Sequence, residues 1–173
     1  MRISNTKNPI YNRTINPIYN HNINPTYNHN INPIYNHNIN PIYNHNINPI
    51  YNHNINPIYN HNINPIYNHN INPIYNHNIN PIYNHNINPI YNLNFSGLFL
   101  FEMSGAIKGY AIIHNQILLL FNTSNVLMSY GIKHARDGFI LFDKGTYIGH
   151  FESNSNNGYN YFDKTNKWSQ FLT

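Results

Sequence analysis

The sequence predicts an all-β C-terminal domain of four tandem β-hairpins around a pseudo-four-fold axis. It is preceded by a low-complexity half that is mostly disordered or extended. Three observations carry this reading. Phe101, Phe121, Phe142 and Phe162 recur at spacings of 20, 21 and 20 residues. Apolar or aromatic residues recur at fixed offsets around each of them. The octapeptide Asn-Pro-Ile-Tyr-Asn-His-Asn-Ile runs almost unchanged from Asn8 to Ile87, with a partial copy at Asn88–Asn92. Repetition this strict is one physical unit multiplied rather than a set of distinct sites.

Each 20-residue unit reads as a hairpin. Leu100, Leu120, Leu141 and Tyr161 precede the phenylalanines, and Leu98, Leu118, Phe139 and Tyr159 stand three before them. Such residues suit a pleated, half-buried surface. Glu102, Asn122, Asp143 and Asp163 follow the phenylalanines and open polar turns, because Asp and Asn side chains bond nearby backbone amides. A second strand would carry Ile107, Leu127, Ile148 and Trp168 six residues on, and Tyr110, Tyr130, Phe151 and Phe171 nine residues on. A lone hairpin cannot bury its apolar face, whereas four arranged around a centre can.

The tract holds all eleven prolines, nine of the twelve histidines and eleven of the sixteen tyrosines. One proline per eight residues excludes normal α-helices and interrupts any central strand. What remains is extended chain with turns at Tyr-Asn-His-Asn. Ordering eight residues costs on the order of 10 kcal/mol of backbone entropy. Two Ile and one Tyr return about 1.5–3 kcal/mol each when fully buried. An isolated unit therefore does not order itself; stacking of units into a solenoid is the alternative.

Composition divides the chain at about residues 92–96, giving an octapeptide tract over 1–95 and a β domain over 96–173. No Asp, Glu, Lys or Arg lies between Arg13 and Glu102, and every glycine lies from Gly97 onward. The net charge of +4 is scattered, with no basic run to track phosphates, so nucleic acid is not an expected partner. There is no cysteine, hence no disulfide or thiolate metal site. Neither a secretory signal nor a membrane-spanning stretch is visible, so a cytoplasmic chain without a membrane partner is the expectation.

The sequence assigns no catalytic, cofactor or metal residue. Glu102, Asp143 and Asp163 hold equivalent turn positions and read as turn-initiating carboxylates. His114 and His134 each stand thirteen residues after a phenylalanine, a connecting position. The histidines His21, His29, His37, His45, His53, His61, His69, His77 and His85 are eight apart, whereas zinc ligands usually stand two to five apart. No phosphate loop, nucleophile elbow or zinc-protease helix is present.

The segments Leu98-Phe99-Leu100-Phe101, Leu118-Leu119-Leu120-Phe121, Phe139-Ile140-Leu141-Phe142 and Tyr159-Asn160-Tyr161-Phe162 resemble the four-fold beta-flower domain of uncharacterised bacterial proteins. Lys108-Gly109-Tyr110-Ala111 and Tyr147-Ile148-Gly149-His150-Phe151 support this. The resemblance covers about Gly97–Thr173, with the tract by analogy, and implies a fold without an activity. A weaker resemblance to WG-type repeats rests on Asp163–Trp168, in a region without proline. The function expected is a small binding or interaction module on a flexible repeat tether, with self-association through the tract. The alternatives are a structural or self-assembling repeat protein and a small hydrolase- or toxin-like enzyme.

Overall fold

A computed structural model of the protein describes residues 3–36, 40, 48, 52, 54–58, 60–64, 68–134 and 137–173. The C-terminal half is all-β, as expected. Its strands are β1 (Leu98–Glu102), β2 (Ile107–His114), β3 (Ile117–Asn122), β4 (Leu127–Lys133), β5 (Phe139–Asp143), β6 (Thr146–Ser153), β7 (Tyr159–Asp163) and β8 (Trp168–Leu172). Each pairs antiparallel with its sequence neighbours, and β8 closes onto β1 through Leu100 opposite Leu172 and Phe101 opposite Phe171. The four hairpins thus form one closed barrel without a free edge, which is how small antiparallel sheets avoid unpaired ladders. No helix among the described residues is long and apolar enough to cross a membrane.

The sequence repeat is also a geometric one. Every hairpin carries an irregularity at the same step, between Leu100 and Phe101, Leu120 and Phe121, Leu141 and Phe142, and Tyr161 and Phe162. Such bulges bend a strand and increase its twist, which helps a narrow sheet to close.

One alignment expectation is corrected. Phe101, Phe121 and Phe162 face residues six further on, namely Ile107, Leu127 and Trp168. Phe142 faces Tyr147, only five further on. The partners of Ile107 and Tyr110 in the third unit are therefore Tyr147 and His150, not Ile148 and Phe151. Turn chemistry is the cause. Three hairpins use a longer turn with one left-handed residue, Gly105, Asn125 or Asn166, whose amide donates to the carbonyl of Glu102, Asn122 or Asp163. The third uses two left-handed residues, Lys144 (φ 47°) and Gly145 (φ 83°), and is one residue shorter.

Alternation sorts the strands into two faces. Leu100, Leu118, Leu120, Leu141, Phe151 and Leu172 form the inward cluster. Phe99, Phe101, Tyr110, Phe121, Tyr130, Phe142 and Phe171 face outward, yet they are buried too. Four pairs of outward rings stack between hairpins: Tyr110 on Phe121, Tyr130 on Phe142, His150 on Phe162 and Phe171 on Phe101, with centroids 5.5–5.9 Å apart. Gly109 lies where β2 meets β3, and a Cβ there would sit 2.0 Å from the Phe121 carbonyl oxygen. Gly109→Ala should therefore cost about 1–3 kcal/mol, the usual penalty of overpacking. Urea unfolding of the full chain measures this, and an unchanged midpoint would disprove the tight approach.

The octapeptide tract covers the outward face. Its described residues include no strand and no α-helix; they are successive turns with two short 3-10 segments, His29–Ile31 and His85–Ile87. Two asparagines per unit build them. The one before Pro accepts from the amide two residues on and donates to the previous unit's Pro carbonyl. Asn16, for example, accepts from Ile18 at 3.0 Å and donates to Pro9 at 3.0 Å, and Asn88 does the same with Ile90 and Pro81. The asparagine after Tyr repeats the scheme six residues back, as in Asn28 to Asn22 and Asn84 to Asn78, both 2.7 Å. An amide side chain accepts at its oxygen while donating at its nitrogen; a carboxylate would lack the donor. A turn therefore forms at Asn-Pro-Ile-Tyr as well as at the expected Tyr-Asn-His-Asn segment.

The tract's contacts run around the barrel in order. Ile10 lies against Gly105 in the β1–β2 turn. The Thr14 and Ile23 carbonyls accept from Asn156 (3.1 Å) and from Asn160 on β7 (2.6 Å). Ile58 lies against Gly145 in the β5–β6 turn, and Ile74 adjoins Leu127 and Met128 of β4. Phe95 packs edge-on against Tyr110 of β2. Lys7 then closes the circuit by donating to the Phe95 carbonyl (2.6 Å), 88 residues away in sequence. Ile10 to Ile58 spans six octapeptides and half the barrel, from its first hairpin to its third. Ile55, Ile71 and Ile79 of the tract join the outward aromatic cluster.

Candidate binding site in the barrel

The inward positions do not fill the barrel. Gly109, Ser129 and Gly149 hold the same inward step in three units, opposite Leu100, Leu120 and Leu141. The inward side chains leave a half-open cavity of about 220 Å³ near the hairpin turns, bounded by residues of all eight strands, Ser129 among them. Leu100, Leu120, Leu141, Ile148 and Phe151 form its walls, with Lys108, Asp143 and Gln170 among the polar groups that also line it. Tyr161 supplies one polar group within, its hydroxyl donating to the Ile148 carbonyl at 2.9 Å. Burial pushes that phenol up to about 12, so it stays a neutral donor. Lys108 pairs with Glu102 at 3.3 Å, both half-exposed. Apolar walls with a few convergent polar groups are the usual makeup of a small-molecule site.

The three turn carboxylates separate in role. Asp163 is a turn cap: its Oδ1 accepts from the amides of Thr165 (2.8 Å) and Lys167 (3.0 Å) and from the Thr165 hydroxyl (2.6 Å). Slight burial pushes its carboxyl up, but these hydrogen bonds outweigh it and hold the group below its ordinary value. Glu102 is held by Lys108, and Asp143 lines the cavity.

His114 ends β2, opposite Ile117. His134 is drawn instead to Glu152 of β6, its Nε2 3.4 Å from Oε1. His150 Nε2 lies 3.9 Å from the same oxygen, and His150 Nδ1 is 3.1 Å from the Tyr147 hydroxyl. All three side chains are buried. Burial, reinforced by His134 and partly offset by Asp163, lowers His150 to about 3, so it is neutral at pH 7. Sequence reasoning missed His150 and Glu152. The signal was present: in the corrected register His150 takes the place of Tyr110, Tyr130 and Phe171, and Glu152 that of Ile112 and Ile132.

Six tract histidines fall among the described residues, and His37, His45 and His53 lie outside them. His21, His29, His69, His77 and His85 each stack on the tyrosine six residues on, with centroids 4.2–4.5 Å apart. Among the described residues no group of three His, Asp or Glu side chains has the geometry to hold a metal ion. No protein family, curated protein or solved structure matches the chain.

Proposed function

We propose that the protein is a small binding module in which the barrel interior takes one small, largely apolar molecule and the octapeptide tract serves as its covering arm. The cavity bounded by all eight strands carries this reading. Its size suits a short acyl chain or a single substituted ring. Lys108, Asp143 and Gln170 would meet a polar head, and the Tyr161 hydroxyl would orient it. The four equivalent bulges support kinship with the four-fold beta-flower domain.

The test is saturable binding of a small apolar fluorophore, 1-aminoanthracene, to the full chain. One molecule per chain is expected. Leu120→Trp, which fills the cavity from β3, should weaken binding at least tenfold while leaving the far-ultraviolet spectrum unchanged. Absence of saturable binding, or full binding by the Trp variant, would refute the proposal.

A structural role is the second reading. The unit-to-unit asparagine bonds favour it, because they make the tract a zipped strap.

A further inference from the structure

Folding accounts for only part of the octapeptide. The first two asparagines hold the turns, the isoleucine that ends the unit is buried in Ile23, Ile31, Ile55, Ile71 and Ile79, and proline fixes the chain. Four residues are left over in each unit: the isoleucine after Pro, which is exposed and in Ile10 and Ile58 lies against a barrel turn, and then Tyr, His and the asparagine after His. The described tract tyrosines are about three-fifths exposed, from Tyr19 at 59% to Tyr11 at 69%. The third asparagines, Asn22, Asn30, Asn62, Asn70, Asn78 and Asn86, are exposed, and only their backbone N–H and carbonyl groups are engaged, not their side chains.

The last three of these groups converge. One cleft of about 400 Å³ is lined by His21, Asn22, Tyr27, Asn28, His29 and Asn30. A second, of about 410 Å³, is lined by the same positions one unit earlier, with Arg13 and Thr14 in place of His and Asn. Arg13 even keeps the stacking role, its guanidinium 5.1 Å from the Tyr19 ring. The stacked pairs His69–Tyr75, His77–Tyr83 and His85–Tyr91 repeat the arrangement further along. The tract thus presents two adjacent equivalent clefts, each with a phenol ring, an imidazole and a free amide, and repeats the stacked ring pair further along.

The chemistry selects the ligand. Amide, imidazole and phenol offer donors and acceptors together, which suits hydroxyl groups. Aromatic rings offer an apolar face beside a polar edge. Arg13 is the only charged side chain from residue 8 to Phe101, so a polyanion would find almost nothing to neutralise its charge. Adjacent like clefts suit a polymer of like units, where weak single contacts add into useful avidity. We propose that the outward clefts on the tract bind a neutral polysaccharide.

Affinity electrophoresis of the full chain tests this, using native gels that contain soluble starch, mannan, galactomannan or hydroxyethylcellulose, with heparin as the polyanion arm. Retardation by at least one neutral polymer is expected. Oligosaccharides of that polymer should gain affinity more than tenfold as they lengthen from one cleft to two. Replacing Tyr27, Tyr75 and Tyr83 together by Ala should weaken binding at least tenfold. Replacing Asn22, Asn70 and Asn78 by Ala should also weaken binding, without moving the melting temperature, since those amides hold nothing in the fold. Retardation by heparin alone, by no polymer, or undiminished in the asparagine variant would overturn the proposal.

Discussion

Removal of residues 1–92 is expected to turn a well-dispersed chain into an aggregating one. The outward belt of Phe99, Phe101, Phe121, Phe142 and Phe171 is at most 3% exposed in the whole protein, and the tract isoleucines Ile55, Ile71 and Ile79 belong to the same cluster. Each of those isoleucines contributes about 1.5–3 kcal/mol when buried. Without them the barrel would present a continuous aromatic ring to water, far beyond the scattered apolar residues a monomer tolerates. Sedimentation velocity of the full chain against residues 93–173, with a hydrophobic dye as second probe, measures the change. The shortened chain should sediment as large, dye-binding species. If it stays monomeric and melts at the parental temperature, the tract is not the cover described above.

Acid is expected to destabilise the protein through His150. Its folded value is about 3 and its ordinary value about 6.5, lowered mainly by burial. Below pH 6.5 the unfolded chain binds a proton that the folded chain refuses, so stability falls as pH falls and stops falling near pH 3. At about 1.4 kcal/mol per unit, the full loss is on the order of 4–5 kcal/mol. Replacing His150 by Phe, the residue the fourth unit uses at Phe171, should remove that slope. Urea unfolding at pH 7, 5.5 and 4 reports it. Equal pH slopes in the parent and His150→Phe would sink the assignment.

The four hairpins around a common centre were legible because the four phenylalanines mark one turn-forming step each, and strand alternation does the rest; the closure of β8 onto β1 was not. Nor was the register of the third hairpin. Fixed offsets from Phe142 fall on Ile148 and Phe151, which are apolar and so pass for members of the outward columns. In most proteins a one-residue slip would betray itself by turning a polar face inward. Here both faces are buried, one on the cavity and one under the tract, so polarity gave no warning. The slip hid His150 and Glu152, the two residues that break the apolar pattern once the register is right. In the tract, the asparagine turns followed from local chemistry. The wrapping did not, because it depends on side-chain amides reaching carbonyls six and seven residues back and on an apolar wall that lies elsewhere in the chain.

Lys7 meeting the Phe95 carbonyl ties the two ends of the tract into a hoop. Such a hoop responds to force differently from a folded domain. Pulled from its N-terminal end, it would yield octapeptide by octapeptide, each step freeing about 26–29 Å of chain at nearly the same small load. The barrel would open only after the last unit had peeled away. Resistance divided into equal, re-formable steps dissipates work as a ratchet strap does, so the repetition that looks redundant in sequence becomes a graded brake.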